Sequence, residues 1–95
     1  MQFSIETSRV IRDYAHHFDI DVREYSGNGR YSGSCLSFVG RLGNIFSFYE
    51  MLHNSYLLTE EDLMEIHSMF TNWQIDVSGI DQHIYFPGYS LSSEE

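Results

Sequence analysis

The sequence predicts an α+β domain built on a mainly antiparallel sheet. Three observations carry this. Apolar residues recur at helical spacing in some stretches and alternate with a period of two in others. The strand patterns come as neighbouring pairs separated by turn residues, without the regular strand–helix alternation of a parallel fold. Ninety-five residues with 42% hydrophobic and 16% aromatic content supply one core and leave little room for a second. About four to five strands and two to three helices are expected, in the order β-α-β-β-α-α-β-β, as a single domain over residues 1–88 with an acidic tail over 89–95.

Residues 2–6 alternate, Phe3 and Ile5 against Gln2, Ser4 and Glu6, which is a strand pattern. Thr7 or Ser8 can then cap a helix over about 8–18, whose stripe is Val10, Ile11, Tyr14, Ala15 and Phe18. Residues 20–25 read as a strand. Residues 26–33 are dense in turn formers, and Gly27, Asn28, Gly29 and Gly33 adopt positive φ at low steric cost. Cys35 to Val39 form a second strand, apolar on both faces and therefore central, and the two strands make a hairpin.

After Gly40–Asn44 breaks the pattern, Asn44 can cap a helix over 45–53 with Ile45, Phe48, Tyr49 and Leu52 on its stripe. Thr59 opens a third helix. Thr59 and Asp62 stand at capping-box spacing, and Glu60, Glu61 and Asp62 fall in the first turn, where the helix dipole favours negative charge. Residues 73–77 alternate with Trp73, Ile75 and Val77 inward. Residues 78–81 turn, and 82–86 return as a second hairpin. Pro87-Gly88 ends it, and the tail from Tyr89 is expected to fray.

Charge is distributed unevenly. All five bases, Arg9, Arg12, Arg23, Arg30 and Arg41, precede residue 42, where they balance five acids. The other 54 residues hold nine acids (Glu50, Glu60, Glu61, Asp62, Glu65, Asp76, Asp81, Glu94 and Glu95) and no base, so the net charge of -9 belongs to that part. Such a field repels nucleic acid and anionic membrane and attracts basic protein surface. Binding to phosphate backbones needs clustered Lys and Arg, which five dispersed arginines do not supply. Charges of both signs are interspersed on an ordinary soluble domain, although acidity also serves simply to keep an aromatic-rich chain soluble.

Chemistry-bearing motifs are sparse. The single cysteine, Cys35, excludes an intramolecular disulfide and reads as a small buried hydrophobe. His16-His17 with Asp13 lacks the second histidine and glutamate base of a zincin helix, so no metal site is expected. No G-x-S-x-G elbow is present, no catalytic residue is assigned and no cofactor is expected. Gly27, Gly29 and Gly33 fall one residue off the dinucleotide fingerprint, and a strand follows where a helix is required. Tyr25, Arg30 and Tyr31 flank that loop and belong to residue types enriched in binding hot spots. The N-terminal segment has no basic region followed by an apolar run, so no signal peptide is expected, and a cytoplasmic location is.

A short, lone-domain, lysine-free acidic chain of this kind resembles phage-encoded inhibitors of host defence, the anti-CRISPR proteins and anti-restriction DNA mimics. The resemblance is carried by size and by the nine acids after Arg41. It implies a non-catalytic inhibitor in the host cytoplasm. Its partner would be a protein complex with a basic nucleic-acid-binding groove, whose DNA or RNA site it blocks, with no direct contact to nucleic acid or membrane. The expected partner-binding residues are Glu50, Glu60, Glu61, Asp62, Glu65, Asp76 and Asp81 for steering, with Tyr25, Arg30 and Tyr31 as anchors. An immunity protein that neutralises a toxin enzyme shares this profile. A small nucleotide-binding domain using the Gly27–Gly33 loop, or an adaptor subunit of a larger assembly, is also compatible with the residues.

Overall fold

The computed structural model describes residues 2–26, 33–77 and 79–93. Its elements run α1 (Ile5–His17), β1 (Asp21–Ser26), β2 (Ser34–Gly40), α2 (Leu42–His53), α3 (Glu60–Thr71), β3 (Gln74–Val77) and β4 (Gln82–Pro87). The fold is α+β, with three helices among the described residues on an antiparallel sheet in the order β1-β2-β4-β3. β1 pairs β2, β2 pairs β4 and β3 pairs β4, each antiparallel. The strand expected to be central, β2, has a partner on both sides. The five strands traced in the sequence are more than the four found among the described residues.

The excess lies at the N-terminus. Residues 2–6 are not a strand, because Ser4 is a helix N-cap whose Oγ accepts from the Thr7 amide at 3.2 Å. Helix α1 therefore begins at Ile5, three residues before its expected start. Phe3 is buried and stacks on Tyr89 with ring centroids 6.0 Å apart, while Ile5 is exposed. The alternation of Phe3 and Ile5 thus records one core contact and one helix start. The other end of α1 closes in a Schellman arrangement. Ile20 N–H donates to the Ala15 carbonyl at 2.8 Å and Asp19 N–H to the His16 carbonyl at 3.1 Å, with Asp19 at φ 58° in the position glycine usually takes. Ile20 and Ala15 are both buried, which completes the hydrophobic side of the motif.

Helix α2 starts at Leu42 and has no side-chain cap, so Asn44 is helical and caps nothing. Helix α3 starts as expected, with both halves of the Thr59–Asp62 capping box formed.

All three helices lie on one face of the sheet. Leu36, Phe38, Ile84 and Phe86 point into that face and meet Ile45, Phe48, Leu52, Ile66 and Met69. The centre is aromatic, with Phe38 edge-on to Phe48 at 5.1 Å and Phe70 at 4.9 Å from Phe86. On the other face, the register aligns Arg23 with Ser37 and Tyr85, and Tyr25 with Cys35 and Pro87. No helix covers those rows. Cys35, Ser37 and Val39 are nevertheless buried at the middle of the sheet. Gly40 ends β2 against Ile20, where a Cβ would lie 3.2 Å from the Ile20 side chain.

The core does not stop at residue 88. Leu91 is buried in the same cluster, and Ser92 is held three times. Its amide donates to Ser8 Oγ at 2.8 Å, its hydroxyl donates to the Phe3 carbonyl at 2.6 Å, and its carbonyl accepts from Arg12 at 2.6 Å. Residues 89–92 are packed against α1 instead of fraying from it.

Candidate functional site

The acids expected to form one binding surface are placed by the fold in different settings. Asp62 is a structural residue. Its carboxylate accepts from the Thr59 amide at 3.3 Å and from the hydroxyl of buried Thr7 at 2.9 Å, so it ties α3 to α1 as well as capping α3. Glu65 is half-buried beside Tyr89. Burial raises the Tyr89 phenol above its ordinary value, and the Glu65 charge adds to that, while a hydrogen bond with Ser68 opposes it. Asp76 lies on β3 opposite His83, and exposed Asp81 lies in the turn before β4 beside Asp19 and Asp21. Strand β3 and that turn belong to the sheet, away from α2 and α3 in the chain's layering.

Glu50, Glu60 and Glu61 are exposed on the helical side. Helical periodicity separates even the neighbours. Glu60 shares a stripe with Met64, His67 and Thr71, next to α2. Glu61 and Glu65, one turn apart, share a different stripe with Ser68. No ion pair joins Glu50, Glu60 or Glu61 to a base among the described residues. Ion pairs instead tie Arg12 to Glu24 at 3.5 Å and Arg23 to Asp21 at 2.8 Å, on α1 and β1.

Of the expected anchors, Tyr25 is exposed on β1 with its ring 6.4 Å from that of Tyr85, on the sheet side. Arg30, Tyr31 and most of the Gly27–Gly33 loop lie outside the described residues, as do Glu94 and Glu95. Strand β2 begins at Ser34, immediately after Gly33. The loop therefore has no helix N-terminus behind it to receive a phosphate.

Exposed apolar side chains accompany the acids on the helical side. Helices α2 and α3 run antiparallel, with Phe46 against Trp73 at 5.8 Å and Tyr49 against Phe70 at 4.5 Å. The Tyr49 hydroxyl and His67 Nδ1 share a hydrogen bond of 2.8 Å. Along this seam run two adjoining hollows of about 340 and 420 Å³. One wall is Phe46, Tyr49, Glu50 and His53 of α2, and the other is Leu63, Met64 and His67 of α3. Met64 is 73% exposed.

The connecting loop rises at one end of this groove with Tyr56 fully exposed and Leu57 69% exposed. That tip is held from below. Leu58 is buried, Ser55 Oγ accepts from the Leu57 amide at 3.1 Å, and Tyr14 and Ser55 share a hydrogen bond of 2.8 Å. Two large apolar side chains are thus presented on an ordered support, which lowers the entropy lost on binding. Sequence pattern does not single out Tyr56-Leu57, because a Tyr-Leu-Leu run gives no clue to which of its residues turns inward.

Groups of three or more metal-ligating side chains are absent among the described residues. Burial raises the Cys35 thiol above its ordinary value and so suppresses the thiolate form. No helix among the described residues is long and apolar enough to cross a membrane. Comparison with protein-family models, curated proteins and solved structures finds no match for this chain.

Proposed function

We propose that the protein is a non-catalytic inhibitor that binds a nucleic-acid-handling host defence complex and blocks its DNA or RNA site. The contact surface is the helical side, with Glu50, Glu60 and Glu61 steering and Phe46, Tyr56, Leu57 and Met64 anchoring. One observation carries this reading. Exposed apolar side chains and carboxylates without ion-pair partners among the described residues occupy the same α2–α3 face, in a part of the sequence that holds no base. A surface of that kind accelerates encounter with a basic groove and then excludes water at a few anchors. Tyr25, on the sheet side, forms no part of this proposed surface.

The test is affinity capture of the tagged protein from nuclease-treated host lysate at low and high salt, comparing wild type with the triple variant E50Q/E60Q/E61Q. Asp13→Asn on exposed α1 serves as the control. The expected result is a nucleic-acid-binding complex recovered at low salt, lost with the triple variant and kept with the control. Equal recovery with both variants would sink the assignment of the surface. Recovery of a single toxin-like enzyme would replace the defence complex with the immunity reading.

A further inference from the structure

From the α2–α3 seam we infer that the groove is a seat for a basic amphipathic helix of about two turns, supplied by the partner. This inference deepens the proposed function and rests on its choice of surface. The length follows from the wall. Phe46 to His53 covers eight residues of α2, whose rise is about 10.5 Å, which accommodates a guest helix with anchors at i, i+3, i+4 and i+7.

The floor and walls set the chemistry of the guest. Leu63, Met64, Phe46 and the ring of Tyr49 offer apolar surface, so the guest brings an apolar stripe. Glu50 of the α2 wall lines that surface, and exposed Glu60 opens α3 one turn before Met64, each without an ion-pair partner among the described residues. Lysine or arginine beside the guest's apolar stripe satisfies both carboxylates. A second copy of this chain is disfavoured as the occupant, because a twofold contact would lay this acidic face against an identical acidic face. Tyr56 and Leu57, at the loop end, would grip the guest's terminus.

The inference is tested with a defined probe. A synthetic peptide of about 15 residues, long enough for helix to be accessible in solution, carries leucine at i, i+3, i+4 and i+7 and arginine elsewhere on the helix surface. The comparison is a scrambled peptide of identical composition. Binding to the whole protein is followed by calorimetry and by NMR of the Met64 methyl and the His53 and His67 rings. The patterned peptide is expected to bind about tenfold more tightly than the scrambled one and to shift Met64 and His67. Met64→Ser, at an exposed position, is expected to remove most of that difference while the melting temperature holds.

Equal affinity for both peptides, shifts confined to the sheet side, or no binding of the patterned peptide at millimolar concentration would each overturn the helix-in-groove inference. The charge-dependent capture would then stand or fall separately, since E50Q/E60Q/E61Q tests steering by carboxylates without reference to a helical guest. Conversely, a peptide that seats in the groove while capture ignores the three carboxylates would keep the seat and remove the steering.

Discussion

Removing the Asp62 carboxylate separates its structural role from the binding role its charge suggests. Asp62→Ala breaks the reciprocal half of the α3 capping box, where loss of such a cap costs about 1 kcal/mol. It also removes the acceptor of the Thr7 hydroxyl at 2.9 Å. Thr7 is buried, so the loss of that hydrogen bond adds about 1 kcal/mol. Together the variant should lose about 2 kcal/mol, which lowers the melting temperature of a domain this size by roughly 10 °C. Glu61→Gln, one residue earlier in the same turn, gives up only its dipole interaction, a few tenths of a kcal/mol. Urea unfolding followed by the fluorescence of Trp73, the single tryptophan, measures both. Its ring lies 5.8 Å from Phe46 and 6.2 Å from Phe70 and reports on the helix–sheet packing. A double-mutant cycle of Thr7→Val with Asp62→Ala should return a coupling of about 1 kcal/mol. If Asp62→Ala and Glu61→Gln unfold at the same urea concentration, the carboxylate ties nothing together and the reasoning fails.

Three further outcomes are expected. Among the described residues Ser37 Oγ is buried without a hydrogen-bond partner, so Ser37→Ala should raise stability by up to about 1 kcal/mol by removing a desolvated hydroxyl; a lower melting temperature would mean that the hydroxyl is satisfied in solution. Cys35 and Tyr89 are both raised by burial from ordinary values of 9.0 and 10.0. Their contribution to stability is therefore whole below about pH 9 and declines as pH climbs through the folded values, because the unfolded chain ionises first. A pH series of melting curves should show that decline, and Cys35 should react with a thiol reagent at pH 8 at the rate of global or local opening; reaction as fast as a free thiol would contradict its burial. Leu91→Ala should cost roughly 2–5 kcal/mol, since Leu91 is in the core cluster, and an unchanged denaturation midpoint would return residues 89–93 to the status of a tail.

The sequence by itself determined the α+β class, both hairpins, the centrality of β2 and the cap of α3. Each is written in local signals, namely a period of two or 3.6, a pair of turn residues, or a side chain three positions from its partner amide. Alternation misled at residues 2–6, where Ser4 caps a helix and Phe3 finds Tyr89 far along the chain. Periodicity also says nothing about which hairpin edges meet. The β2–β4 pairing that merges the two hairpins into one sheet joins residues about fifty apart, and only the shared aromatic core selects it.

The candidate site divides in the same way. Net charge is a sum over the chain and was legible at once. A binding surface depends on where each carboxylate points. Three successive acids, Glu60, Glu61 and Asp62, end as two exposed carboxylates and a half-buried cap, because each step along a helix turns the side chain by about 100°. Tyr56 and Leu57 stand exposed while Leu58 turns inward beneath them. Sequence counts the charges and apolar residues, and tertiary packing decides which of them meet.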